Sequence, residues 1–372
     1  MGNNKLRLEV EPEDEIIRLV GFASEKIVSI ERMKEGLIIE LEEGTNTEEV
    51  LSKIQRMIKQ SQSPRNLSQQ TVIHTIGDCS EKPYNTDFPE GLVKYYGEGL
   101  IRLKGEALHL LHYFDNRFRQ LAMELGAEET QYPTLLPLSA MEKTGYLRTS
   151  PQYSMFVCHP REDVDDLLKL SREVEEGHAA DVIAQPNFVL TPAACFHCYM
   201  DLEHAHVDRP AVYTFRQNVF RHEGRMNWEG FGRLRDYHVR ELVFLGDEPF
   251  VREQRKHVVD KVIQIAEELK LTARVCVTSD PFIIPSMQKF KRIQLEEESK
   301  LELQLAYGPE DYLAAASFNV HGTAFTAPFQ ITIKDISETV TGCVGFGLER
   351  WVLAFLAQHG PDPEQWNIRI NY

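Results

Sequence analysis

Residues 211–246 constrain the fold more than any other stretch of the chain. Val212 to Phe220 and Tyr237 to Phe244 are both rich in β-branched and aromatic residues, the side chains that suit a pleated surface. Between them, Glu223 to Arg235 carries Gly224, Gly230 and Gly232 and many charges. A connection without a crossover helix joins antiparallel strands, so the stretch predicts a hairpin with a long polar loop. Ordered loops of that length are commonly functional. A helix is expected after it, over about Glu248 to Leu269. Near the end, Val340 to Val344 reads as a strand entering a helix over Gly347 to Ala357, with Leu348, Trp351, Val352, Phe355 and Leu356 on one face. Upstream, a long helix is expected over roughly Leu100 to Leu125. Leu108, Leu111, Phe114, Phe118, Leu121 and Leu125 follow there at steps of three and four, and Gly126 is placed to cap the end. The apolar run Tyr132, Pro133, Leu135 and Leu136 follows, and Pro133 argues for an edge or interface strand. Hairpin-paired strands with interspersed helices predict α+β, not βαβ.

The first 60 residues have a pattern of their own. Lys5 to Val10 and Gly36 to Glu42 read as strands, the second alternating through Leu37, Ile39 and Leu41. Thr45 and Glu48 have capping-box spacing, and Val50, Leu51, Ile54, Met57 and Ile58 follow at helical spacing. Gln60 to Gln70 is polar, aperiodic and contains Pro64. It is the expected boundary between a small N-terminal α/β domain, 1–62, and a larger domain, 71–372. The 41 basic and 57 acidic residues give a net charge of −16, which speaks against a broadly basic surface for nucleic acid. No run approaches the roughly 18 apolar residues of a spanning helix, and no apolar signal core follows Met1 to Arg7. A cytoplasmic protein away from membranes is expected. Six cysteines spread over 372 residues suit thiols or metal ligands better than a disulfide framework.

Two arginines stand out. Arg221 lies in Phe220-Arg221-His222-Glu223, and Arg350 ends Gly345-Phe346-Gly347-Leu348-Glu349-Arg350. A guanidinium fork suits a polyphosphate, and the glycines beside Arg350 let backbone approach a ligand. Glycine-rich loops of the P-loop or Rossmann type are absent. In these features the chain resembles the class II aminoacyl-tRNA synthetase catalytic domain. The first family motif is matched by Leu100 to Pro137 with Pro133, and the second by the FRxE hairpin, Phe220 to Glu223 with return strand Tyr237 to Gly246. The third is matched by Gly345 to Arg350. The resemblance implies a class II synthetase-like antiparallel sheet flanked by helices, ATP as a substrate, and a homodimer formed through the first motif.

Residues 71–372 also resemble the amino acid:carrier protein ligases, truncated relatives of archaeal-type seryl-tRNA synthetases. The matching stretches are Lys143 to Leu147, Thr191 to Cys195, Val239 to Glu241, Ser317 to His321 and Gly342 to Trp351. The resemblance implies an AMP-forming ligase that activates a small amino acid with ATP. It then loads the amino acid onto the phosphopantetheine thiol of a carrier protein. It also implies Zn2+ held by Cys195, Glu241 and Cys343. Three protein ligands leave a tetrahedral position open, which a neutral α-amino group can fill. Spacing alone offers less, because Cys195 and Cys198 form a CxxC pair without a second pair. Cys198 stays outside the implied site, and Cys79, Cys158 and Cys276 read as apolar thiols.

The same resemblance implies the ATP contacts. Arg221 would clamp the α-phosphate and the substrate carboxylate, Glu223 would meet adenine or ribose, and Arg233 and Leu234 would line the nucleotide. Lys300 would add positive charge, although Glu296 to Glu302 by itself reads as a solvated charge run. Ala314, Ala315, Ala316 and Ser317 would support the nucleotide, and Arg350 would hold the γ-phosphate. Arg221, Arg350 and Mg2+ would offset charge as the carboxylate attacks the α-phosphorus. His321 is expected to be structural. Two other functions compete. A tRNA-charging enzyme related to archaeal seryl-tRNA synthetase needs an RNA-binding appendage. Met1 to Gln60, however, holds 13 acidic against 9 basic residues, a net of −4, and no sustained heptads, so tRNA is not expected. A non-catalytic regulator has no need of Arg221, Glu223 and Arg350 together. Lys289, Lys291 and Arg292 are the candidate docking residues for an acidic carrier.

Overall fold

The computed structural model describes residues 4–61, 71–79, 83–173, 179–224, 230–280, 282–284, 287–366 and 368. Most of the expected boundary, residues 62–70, and part of the hairpin loop, 225–229, lie outside the described residues.

The N-terminal unit comprises β1 (Asn4–Leu8), α1 (Asp14–Gly21), β2 (Ile27–Met33), β3 (Gly36–Leu41) and α2 (Thr47–Ser61). Its antiparallel sheet has the order β1-β3-β2. Leu37, Ile39 and Leu41 alternate into a core with Leu19 and Val20 of α1 and Val50, Ile54 and Ile58 of α2. The cap of α2 differs from the expected Thr45. Asn46 Oδ1 accepts from the N–H groups of Glu48 (3.1 Å) and Glu49 (3.3 Å). Asparagine caps as well as threonine, and it sits one residue nearer the first turn.

The remaining chain begins with β4 (Thr71–Ile76), β5 (Val93–Gly97), β6 (Leu100–Leu103), α3 (Glu106–Glu124) and β7 (Glu128–Glu129). A small sheet of β8 (Leu135–Pro137), β9 (Met155–Val157) and β10 (Phe188–Leu190) follows, with α4 (Leu138–Lys143), α5 (Tyr146–Thr149) and α6 (Val164–Glu173) around it. Next come α7 (Cys195–Asp201), β11 (His206–Val207), the hairpin β12 (Ala211–Phe220) and β13 (Asp236–Gly246), then α8 (Glu248–Glu268) and β14 (Ala273–Val277). The chain continues with α9 (Gln288–Glu296), β15 (Lys300–Ala306), β16 (Tyr312–Gly322), α10 (Thr326–Phe329), β17 (Thr332–Ile333), β18 (Val340–Gly347) and α11 (Leu348–His359).

The main sheet has eight strands in the order β4-β14-β15-β16-β18-β13-β12-β7. Every pairing is antiparallel except β12 with β7. The hairpin runs in unbroken register from Ala211↔Leu245 to Phe220↔Asp236. Strand alternation sends the side chains to two cores. One face carries Leu242, Phe244, Val344 and Phe346 against α3, α8 and α11. There the Phe118 ring stacks on Phe346 at 4.0 Å. The other face carries Phe215, Val219, Val239, Val243 and Cys343 against Phe196 and Tyr199 of α7. Catalytic groups can face a ligand only on this second side, because three helices cover the first.

The long upstream helix is shorter than expected. Residues 100–103 pair with β5 as a strand, and Gly105, at φ +56, breaks the chain before α3. Leu108 is consequently exposed, and Ala107, Leu110 and Leu111 take the buried face. Gly126 ends the helix as expected, with φ +71 and its N–H bonded to Met123 O. Pro133 precedes β8 and accepts from Gln217 Nε2 through its carbonyl. No helix among the described residues is long and apolar enough to cross a membrane.

Candidate active site

The second face of the sheet brings Cys195, Glu241 and Cys343 together. Their ligand atoms all lie within 4.8 Å of one another, and all three residues are buried. Glu241 pairs with Gly345 across β13 and β18. A Cβ on Gly345 would lie 2.7 Å from Glu241 Oε2, so the glycine makes room for the carboxylate. Cys343, two residues earlier, points to the same side. Cys195 arrives on the first turn of α7. Burial pushes the Glu241 carboxyl up to about 7, against the pull of Cys343 and Arg221. The Cys343 thiol is raised by its hydrogen bond to Cys195, by burial and by Glu241. The raised Cys343 thiol and Glu241 carboxyl are poorly placed as anions until a cation joins them. Two sulfurs and a carboxylate are a donor set that zinc takes, so Cys195, Glu241 and Cys343 would hold it.

Supporting groups surround the cluster. Asn319 Nδ2 donates to Cys343 Sγ (3.6 Å), and His321 Nε2 lies 3.7 Å from the same sulfur. His321 Nδ1 meets Tyr199 Oη at 3.3 Å, and burial pushes this histidine down to about 4. It packs edge-on against Phe325 and serves Tyr199 and Cys343 as a hydrogen-bonding partner. Cys198 is buried beside the cluster but belongs to none of its three corners.

Arg221 follows β12 directly. Its N–H bonds Arg235 O, and its Nε donates to Pro192 O at 2.9 Å. Glu223 is buried and accepts from Arg233 Nη1 at 3.1 Å. Burial lowers Arg233, as do the charges of Arg18 and Arg350, while Glu223 acts the other way. Arg350, on the first turn of α11, donates Nε to Gly232 O (3.0 Å) and Nη1 to Ala314 O (2.9 Å). These groups act on one another in sequence: Arg350 and Glu223 on Arg233, Glu223 on Arg221, and Arg221 on Glu241 of the thiol cluster.

Other expected residues are placed differently. Leu234 is 1% exposed and packs in the core, so only its backbone could meet a nucleotide. Ala315 and Ala316 are also core, and Ala315 O accepts from Trp351 Nε1. Ser317 exchanges hydrogen bonds with Asn319. Lys300 is not on a solvated face. Its side chain is 12% exposed and pairs with Asp280 and with Glu302 at 3.7 Å. Asp280 also acts on Arg221, which ties Lys300 to the same site. Asp280 carries no functional signal in the sequence. Asp280 sits in an irregular turn after β14, where no periodicity marks it.

No family model matches the chain. It is 31% identical over 268 residues to a type-2 serine–tRNA ligase of Methanococcus aeolicus, covering 67% of this chain and 51% of that one. A second such ligase, from Methanothermobacter thermautotrophicus, is 32% identical over 284 residues, 73% of this chain and 55% of the relative. The chain spans about half the length of the curated relatives it matches. Among solved structures, M. kandleri SerRS, crystallised with A. aeolicus tRNASec, aligns with a TM-score of 0.68 at 23% identity. That alignment covers 97% of this chain and 75% of the other. Seryl-tRNA synthetase from Pyrococcus horikoshii, complexed with ATP, aligns with a TM-score of 0.54 at 13% identity, over 72% and 56%. The large antiparallel sheet flanked by helices is the fold these structures share.

Proposed function

Because the chain is a distant homologue of the archaeal type-2 seryl-tRNA synthetases, we propose that it is an AMP-forming amino-acid ligase. One observation carries this reading: Arg221 acts on Glu241 of the Cys195–Glu241–Cys343 cluster, while Glu223 and Arg350 meet at Arg233.

The amino-acid carboxylate attacks the α-phosphorus of ATP, a P–O bond forms, and the bond to pyrophosphate breaks. Arg221 is fixed by the Pro192 carbonyl and offers the rest of its fork to the α-phosphate and the attacking carboxylate. Arg350 is fixed by two backbone carbonyls and offers its charge to the departing end. Glu223 holds Arg233 and orients the nucleotide. Cys195, Glu241 and Cys343 would hold zinc, which supplies a Lewis-acid position for a neutral α-amino group. Mg2+ takes substrate phosphates and few protein ligands, so it would enter with ATP. The catalytic pair of Arg221 and Arg350 needs no titrating acid or base.

For the acceptor, the relatives named above are serine–tRNA ligases, which favours serine and the 3′ end of a tRNA. A second reading, the phosphopantetheine thiol of a carrier protein, rests on the matching sequence stretches and on the net charge of −4 in residues 1–60. Amino-acid-dependent exchange of pyrophosphate into ATP tests the ligase reading, scanned across the amino acids. Arg350→Ala should reduce the exchange by about 100-fold or more, the scale of losing a preorganised charge at the reacting group. If the wild-type chain exchanges with no amino acid, the reading fails.

A further inference from the structure

The N-terminal unit plays no part in the chemistry above, yet it packs directly on the site. Phe22, the residue after α1, lies on Gly224, which follows Glu223 in the chain. A Cβ on Gly224 would come 2.7 Å from Phe22 Cζ and 3.2 Å from Cε1. Gly224 is at φ +87, so the position excludes a side chain on two counts. On the opposite wall, Ile283, three residues beyond Asp280, packs against the N-terminal core of Leu19, Val20 and Ile54. The unit therefore bridges the end of β12 and the segment that carries Asp280.

One turn before Phe22, on the same face of α1, lies Arg18. Its charge acts on Tyr153 and on Arg233, and Arg350 acts on Arg233 as well. Three guanidinium groups thus gather at one end of the site. Glu223, the buried carboxylate there, is bonded to Arg233. Glu223 offsets one of the three positive charges, and a triphosphate tail supplies the further negative charge that matches the other two.

We propose that Arg18 binds the polyphosphate of ATP, and that the N-terminal unit is a lid on the nucleotide site of its own chain, seated by Phe22 on Gly224. This rests on the ligase reading. The lid brings a third guanidinium to the β- and γ-phosphates and to the pyrophosphate that leaves. It leaves the α-phosphate to Arg221.

Steady-state exchange kinetics on the full chain test it. Arg18→Gln should raise the KM for ATP about tenfold, the scale of one charge-assisted hydrogen bond, with the KM for the amino acid within about twofold. Arg18→Lys should recover part of the loss. Inhibition by AMP, which lacks the outer phosphates, should be unchanged. Phe22→Ala should move the KM for ATP the same way, and the double variant should be no worse than Arg18→Gln alone. An unchanged KM for ATP in Arg18→Gln overturns the proposal, as does equal weakening of ATP and AMP. If the wild-type chain shows no exchange at all, the ligase reading falls by itself. Calorimetric titration with a non-hydrolysable ATP analogue then decides on Arg18, whose substitution must weaken the analogue and not AMP.

Discussion

At the scale of single residues, the cluster depends on an atom that is missing. Glu241 can face Cys195 and Cys343 because Gly345 has no Cβ; adding one would place carbon 2.7 Å from Oε2. Carbon and oxygen do not approach so closely, so Gly345→Ala must turn the carboxylate away from the sulfurs. Gly345→Ala should therefore purify with its zinc depleted, as Cys343→Ser should, while circular dichroism stays that of the wild type. Metal analysis by plasma mass spectrometry reads the outcome, and full zinc occupancy in either variant counts against the site. Gly345 was visible in the sequence as part of a glycine-rich approach to a helix. Its service to a carboxylate on the neighbouring strand was not visible, since cross-strand register lies beyond the reach of local spacing.

At the scale of elements, α3 is tied to the sheet by a buried arginine. Arg240 is 4% exposed and donates Nε to Asp115 Oδ1 of α3 (2.7 Å) and Nη1 to Glu129 Oε1 of β7 (3.2 Å). Removing one partner of a buried charge costs more than the pair contributes, so Asp115→Asn should destabilise the chain by about 2–4 kcal/mol in urea unfolding. Glu129 adds a pH dependence. Its hydrogen bond from Arg119, with help from Arg240, holds its carboxyl below the ordinary value despite partial burial. A carboxyl lowered on folding stabilises above its unfolded pKa and loses that contribution as pH falls through the folded one. Glu129→Gln should then be less stable than the wild type at pH 7, and the gap should close below about pH 4, near the ordinary glutamate value. A gap that persists at low pH would point to packing instead of charge. None of these partners could be read from the sequence, because Asp115 and Arg240 are 125 residues apart. What could be read was the return strand itself; strand alternation then sends Arg240 to α3 and Glu241 to the thiol cluster. Periodicity failed where it is ambiguous. Leu100 to Leu103 fits a helix or a strand, and only Gly105 decides for the strand.

At the scale of the whole molecule, charge bears on the acceptor. The chain carries a net −16, and both acceptors in play are themselves anionic. The expected basic docking surface on α9 is weaker than its sequence suggests. Arg292 is paired with Glu296 at 2.7 Å, and the Lys289 side chain lies outside the described residues. With a net charge of −16, attraction of a polyanion must rely on a local basic patch. The two acceptors then differ in the sign of their salt response. A tRNA held by a few arginines and lysines releases counterions, so its KM should rise with salt, with a log–log slope of magnitude below about 4. An acidic carrier approaching an acidic chain is repelled at long range, so screening should leave its KM flat or lower it. Loading of labelled serine at 50–300 mM salt, on the order of the range where screening changes most, makes the comparison. With tRNA as acceptor, ribonuclease releases the label and the KM climbs with salt. A label that survives ribonuclease but is lost to neutral hydroxylamine, with a flat salt response, transfers the activity to a carrier thiol and overturns the tRNA reading.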